Sequence, residues 1–210
     1  MNHQSMQKRV MTVTGEGSAS SQPDVASLQV GVVTESMNLT QAQQENARVM
    51  ERVIASIVSL GVPRASIQTS EYTILPQYDY DSGSQVFRGY EVTNIITVKN
   101  ENIGQTGEII DTAVQNGANR VSTIQFSVKN PEALYQQALS EALRDAYLKA
   151  NTLAGTMRAQ LDPAPMKVME RGKDGPVPLA KAGTFASSTP IEPGQLEVEA
   201  AVEVQFQFFA

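Results

Sequence analysis

From Leu196 to Phe208 the chain alternates without a break. Leu196, Val198, Ala200, Val202, Val204, Phe206 and Phe208 fall on one side, and Glu197, Glu199, Glu203, Gln205 and Gln207 on the other. A helix repeats its apolar face every 3.6 residues and cannot hold a period of two over this length. The segment is therefore a strand with one buried and one wet face, as antiparallel sheets have. Residues 8–15 are also rich in strand formers. Residues 25–35 repeat the alternation, with Ala26, Leu28, Val30 and Val32 on one face. Between these two runs, Gly15-Glu16-Gly17 through Pro23-Asp24 reads as a loop.

Helical spacing takes over at about 40–60, where Met50, Val53, Ile54, Ile57 and Leu60 form a stripe. Thr40 with Gln43 makes a capping-box pattern at its start, and Gly61 before Pro63 marks its stop. Strands are predicted near 66–76 and 86–99, a short helix over 103–116 ending at Gly117, and a strand over 120–128. Asn130-Pro131-Glu132 then supplies an N-cap, a proline for the first turn and a carboxylate for the helix dipole. The helix it opens carries Ala138, Ala142, Ala146, Ala150 and Ala154 at four-residue spacing, a small-residue row that lets another element approach closely. That element is either the chain's own sheet or a helix of a second subunit. A short strand is expected near 165–171. Residues 172–195, rich in Gly, Pro, Ala, Ser and Thr, read as a flexible loop, longer than the roughly 12–15 residues usual in compact domains.

These elements predict an α/β (α+β) fold: a mixed, largely antiparallel sheet with three helices. The order over 25–128, β-α-β-β-α-β, is the ferredoxin-like pattern. Residues 8–209 form one domain after a tail of residues 1–7. The same pattern also allows two lobes, 8–62 with 164–209 and 63–163.

The chemistry that the residues permit is narrow. There is no cysteine, which removes disulfides, thiolate nucleophiles and zinc–thiolate sites. The one histidine is His3, in the tail, so neither a Ser-His-Asp triad nor a histidine metal site can be built around it. Gly15-Glu16-Gly17 lacks the third glycine and the following helix of a dinucleotide loop. A calcium loop starting at Asp79 would need Gly and Glu where Ser84 and Tyr90 stand. Glu141, Asp145 and Lys149 share a helix face and read as a solvated, ion-paired surface. No catalytic residue, metal site or cofactor is expected, and the chain reads as a binding or assembling module, not an enzyme.

A net charge of −6, with no basic run longer than Lys8-Arg9, argues against nucleic acid as a partner. No stretch approaches the roughly 18–20 apolar residues of a membrane span. Met1 to Arg9 is polar and lacks the apolar core of a signal peptide, so a soluble chain without an export signal is expected.

One cluster stands out. Tyr72, Tyr78, Tyr80, Phe87 and Tyr90 crowd into one predicted hairpin. Stacking on nucleic acid would need basic neighbours, and only Arg88 is near, opposed by two aspartates. Tyrosine offers rigid apolar area with a polar tip, which protein interfaces favour. These five residues are the candidate interface. Asn46 and Asn94 sit on otherwise apolar stripes and are expected to hydrogen-bond main chain.

Several stretches together resemble the SIMPL-domain family. They are Val13-Thr14-Gly15-Glu16-Gly17 with Pro23-Asp24-Val25-Ala26; Ile67-Gln68-Thr69 with Pro76, Tyr78 and Gly89-Tyr90; Gly117-Ala118-Asn119 with Ile124 and Phe126; and the alanine helix. The resemblance runs from about 10 to 209. It implies an α/β fold and an exported bacterial protein of the periplasm, cell surface or secreted fraction, with a tendency to form oligomers. Some members are tied to oxidative-stress defence, and none has established catalytic residues. The polar start departs from the family's usual export signal and leaves the cytoplasm open as a location. The expected function is that of a non-enzymatic homo-oligomer of the cell envelope or of stress defence. The alternative is a small-molecule or peptide-binding module that uses residues 172–195 as a lid.

Overall fold

The computed structural model describes residues 9–81, 84–173, 177–179 and 189–209. In chain order the strands and helices are β1 (Arg9–Ser21), β2 (Val25–Ser36), α1 (Leu39–Ser59), β3 (Ile67–Asp81), β4 (Ser84–Asn100), α2 (Thr106–Gln115), β5 (Arg120–Ser127), α3 (Pro131–Thr156), β6 (Gln160–Lys173), β7 (Val177–Leu179) and β8 (Gln195–Phe209). They make two four-stranded antiparallel sheets. The expected mixed fold with three helices is what the chain adopts.

The chain divides into two compact units. A central unit holds residues 23–127 and 189–193; a terminal unit holds 9–22, 128–173, 177–179 and 194–209. The division falls elsewhere than the two lobes allowed by the sequence. β2 and α1 belong with the β3–β4 hairpin, because β2 lies between β4 and β5 in one sheet, and α3 belongs with the terminal strands.

The central sheet runs β3-β4-β2-β5 with every neighbour antiparallel. β2 and β3, joined through α1, are separated by β4, which is the split β-α-β arrangement of the ferredoxin-like pattern. Leu28, Val30, Val32, Ile96 and Val98 meet Val53 and Ile57 of α1 and Ile109 of α2 in its aliphatic core. The cap of α1 is Asn38, whose Oδ1 accepts from the Gln41 N–H at 3.2 Å, two residues before the Thr40 start expected from the sequence. Gly61 (φ 92°) and Gly117 (φ 112°) end α1 and α2 in the left-handed conformation that glycine tolerates.

The Gly117-Ala118-Asn119 stretch has a physical reason. A Cβ on Gly117 would lie 2.6 Å from Val49 Cγ1, and Ala118 is buried in the core. The Asn119 side chain accepts the Val33 N–H and donates to the Val33 carbonyl, each at 2.8 Å. It thereby continues the β5 pairing of β2 beyond the end of β5. Asn46 of α1, fully buried, donates through Nδ2 to the carbonyls of Val32 and Val92 at 2.9 Å. That is the structural role expected of it. Asn94 Oδ1 is buried without a partner, so the same expectation fails for that atom.

The terminal sheet runs β1-β8-β6, with β7 continuing on β8 beyond the stretch that β6 pairs. Asn130 caps α3, its Oδ1 accepting the Ala133 N–H at 3.0 Å. The alanine row, Ala138 to Ala150, is fully buried against Val13, Val198, Val202, Val204 and Phe206 of the same unit. The close approach therefore serves the chain's own sheet. The loop expected over 15–24 is instead strand as far as Ser21. Gly15 and Gly17 lie on the strand because α3 rests on its backbone. A Cβ on Gly15 would sit 2.0 Å from the Ala142 carbonyl oxygen, and one on Gly17 would sit 2.3 Å from the Ala142 nitrogen. Glu16 between them donates its N–H to Asp145 Oδ2 at 2.9 Å, Lys149 Nζ donates to the Thr14 carbonyl at 3.1 Å, and the two helix side chains pair at 2.7 Å. Asp145 and Lys149 thus satisfy the edge of β1 that faces away from β8.

β6 is longer than the 165–171 expected, and its register against β8 shifts around Pro165 and again near Gly172. Of the segment 172–195 expected to be a flexible loop or lid, Gly172 and Lys173 end β6, and 177–179 form β7. Residues 174–176 and 180–188 lie outside the described residues. So do the tail of residues 1–7 and His3 within it.

Candidate interface on the β3–β4 hairpin

β2 stops pairing with β4 at the Ser36↔Tyr90 position, whereas β3 and β4 continue from Gln77↔Gly89 to Asp81↔Ser84. The hairpin therefore overhangs its sheet as a two-stranded ribbon of roughly 15 Å, at about 3.3 Å per residue. Gly89 makes the departure possible. It holds φ 135°, and a Cβ there would lie 2.8 Å from the Ser36 carbonyl oxygen. Arg88 is the extra residue of a bulge between Gly89 and Phe87, opposite Gln77 and Tyr78.

Tyr72, Tyr78 and Tyr80 share the face of β3 that alternates with Leu75 and Asp79. Cross-strand, Tyr78 stands opposite Phe87 and Pro76 opposite Tyr90. The rings interlock edge to face: Tyr78–Phe87 centroids are 5.6 Å apart at 66°, and Phe87–Tyr90 centroids 5.2 Å apart at 70°. Phe87 and Tyr90 are half-buried by this packing. Tyr80 at the far end is 79% exposed, and Tyr72 and Tyr78 are exposed by nearly half. The structure thus gathers four of the five candidates along one ribbon face, with Tyr72 on the same face further down β3, opposite Asn94.

The opposite face carries Leu75 and Val86, each about half exposed, which the aromatic count missed. Period-two spacing from Leu75 could have found the first. Arg88 Nε pairs with Asp79 Oδ2 at 2.9 Å, so the ribbon's one arginine is neutralised within the hairpin. At the base an open depression of about 360 Å³ lies between Glu35 and Met37 of the β2 end and Gln77, Arg88 and Tyr90. The ribbon presents apolar rings with polar tips on one face and Leu75 and Val86 beside a paired charge on the other, an arrangement suited to contact with another protein surface.

Elsewhere, no group of three or more Asp, Glu, His or Cys side chains among the described residues could hold a metal. Of the helix face expected to be solvated, Glu141 lies 3.8 Å from Arg144. Asp145 instead works structurally. The hydrogen bond from Lys149 and then the Glu16 N–H hold its carboxyl below the usual carboxylate range. Nothing in the residue pattern singles out Tyr135, whose hydroxyl donates to Glu170 Oε1 at 2.5 Å. That bond, helped by burial, pushes the phenol up to about 12. No described helix is long and apolar enough to cross a membrane.

The chain is similar to known bacterial proteins along nearly its whole length. Over 98% of its length the chain is 26% identical to a 26 kDa periplasmic immunogenic protein of Brucella melitensis biotype 1, covering 87% of that protein, and it matches the Brucella abortus protein of the same name equally well. It is 21% identical to the uncharacterised protein YggE of Escherichia coli K12, over 94% of this chain and 82% of that one. Residues 11–206 match SIMPL, a family described as protein of unknown function (DUF541), and the chain belongs to that family.

Proposed function

We propose that this chain is a non-enzymatic SIMPL protein that works by self-association, with the β3–β4 ribbon as a contact between copies. The observation that carries this reading is the overhang itself. A two-stranded ribbon is marginal alone in water, and this one extends past its sheet with Tyr80 largely uncovered and Tyr78 exposed by nearly half. The rival contact, the alanine face of α3, is already used inside its own unit. A chain with no cysteine and a single histidine offers few groups for covalent or acid–base chemistry, which supports a role without turnover. A place outside the cytoplasm is supported by the periplasmic name of the Brucella relatives. The family resemblance suggests a role in the cell envelope or in oxidative-stress defence.

The test is native mass by light scattering over a dilution series. The unmutated chain should form a defined multimer. Replacing Tyr78 and Tyr80 with serine should lower the mass and leave the far-ultraviolet circular dichroism unchanged. Leu148→Glu, on the exposed side of α3, should keep the multimer. Ala146→Glu cannot serve as the matched control, because Ala146 is fully buried and the charge would disrupt the fold. A monomer at micromolar concentration, or a tyrosine variant with full mass, would refute the contact.

A further inference from the structure

One helix lying on a sheet covers about two strands, since strands are spaced about 4.8 Å apart and a packed layer sits about 10 Å away. In the terminal unit the alanine row of α3 rests over β1 and β8, and β6 is covered by α3 only in part: Tyr135 reaches Glu170 and Leu161 packs against the alanine cluster, while Val168 is about half exposed. What remains is a trough along one flank of α3. Val202 and Phe206 lie at its floor, Leu143 and Tyr147 form the helix wall, and Pro165 and Val168 form the wall of β6. It consists of two open depressions, of about 450 and 330 Å³, that share Ser140 and Leu143. Their sizes and largely apolar walls fit the range of small-molecule sites. From Gln136 to Tyr147 the trough is roughly 16 Å long at ~1.5 Å per helical residue.

The two ends differ in charge. At one end the carboxylate of Glu170 already accepts the Tyr135 hydroxyl. At the other, Arg144 is 72% exposed, and the carboxylate it pairs with, Glu141, is as far as 3.8 Å away. The wall near Arg144 contains Pro163 and Pro165, which have no N–H, and the β6 register is irregular there. An added peptide strand would find missing donors, whereas a hydrocarbon chain needs none. We propose that the trough binds a single-chain anionic amphiphile: a soluble fatty carboxylate whose chain lies over Val202 and Phe206 and whose head meets Arg144. The length suits a chain of about a dozen carbons, at ~1.5 Å per C–C bond and a zigzag shorter than its contour. This inference does not depend on the ribbon contact, which lies in the other unit.

Calorimetric titration of the full chain with sodium dodecanoate, kept below micelle formation, tests it. One dodecanoate should bind per chain, and dodecyltrimethylammonium should bind at least about tenfold more weakly. Arg144→Glu should weaken dodecanoate about tenfold and erase the preference for the anion. Leu143→Glu should abolish binding, and Leu148→Glu should leave it unchanged. Circular dichroism confirms that each variant is folded, and because Arg144 is solvent-facing, the charge reversal reports even if Leu143→Glu fails to fold. The proposal is overturned by non-saturable binding, by equal affinity for the cationic probe, or by full binding in a folded Leu143→Glu. Binding to phosphatidylglycerol vesicles without dodecanoate binding would make the trough a membrane surface. A drop in native mass on Leu143→Glu without dodecanoate binding to the unmutated chain would make it a subunit contact. Either result overturns the proposal.

Discussion

The terminal and central units both lay a helix on an antiparallel sheet, and they do so with opposite volumes. In the central unit the gap is filled: Leu28, Val30, Ile57, Ile96 and Val98 are large, branched and fully buried. In the terminal unit the gap is closed by subtraction, with alanines on α3 meeting Gly15 and Gly17 on β1, so that helix and strand backbones nearly touch. The two cores are therefore sensitive to opposite changes. Filling needs side-chain volume to exclude voids, and subtraction needs its absence to avoid overlap. The units also secure a strand edge in different ways. A charged pair on α3 holds β1, and the neutral amide of Asn119 holds β2.

This contrast can be broken by substitution, with urea denaturation followed by circular dichroism as the measurement. The largest loss is expected for Gly15→Val, because even the first added carbon would overlap the Ala142 carbonyl at 2.0 Å; about 4 kcal/mol or more should be lost. A loss under about 1 kcal/mol would mean that α3 can lift off, and the idea of closure by subtraction would fail. Ile57→Ala in the central unit should cost about 3 kcal/mol through lost burial and the cavity left behind. Ala142→Leu is its mirror: it adds volume and should destabilise the terminal unit, although the same kind of change often helps an underpacked core. If it stabilises, the two cores do not differ in the way described.

The edge devices give smaller effects. Asn119→Ala removes both bonds to Val33 and should cost about 1–2 kcal/mol at any pH between 5 and 8. Asp145→Asn should cost less, and its cost should depend on pH. Asp145 has its folded pKa lowered from 3.8, so its contribution is present above that value and is lost as pH falls through the folded pKa. Unmutated chain and variant should therefore converge in stability in the acid limb below pH 3.8. A gap that persists there would show that the Glu16 and Lys149 contacts do not need the charge.

How much could be read beforehand follows from the same physics. The strand 196–208, the cap at Asn130 and the stop at Gly61 were legible because each rests on a local rule: period two, a side chain within reach of a free N–H, or a glycine free to adopt positive φ. Gly15-Glu16-Gly17 was misread because glycine ordinarily signals a turn, and the reason for it here is a helix that joins the strand from more than a hundred residues away. Arg158 closes α3 in the left-handed conformation (φ 55°) where a glycine would have announced the stop. The five aromatics of the hairpin were visible as a cluster, but their exposure was not, since it depends on where β2 stops pairing with β4.

The sequence by itself determined the three helices and most of the strands, the antiparallel class, the β-α-β-β-α-β order, and a chain with no cysteine and one histidine. Periodicity, caps and composition act over a few residues and need no partner. Only the tertiary structure decided which strands share a sheet, that the alanine row faces its own β1, that the ribbon overhangs and that α3 covers β6 only in part. Each of these is a matter of contact between segments far apart in the chain, and local spacing carries no information about which of several compatible surfaces will meet.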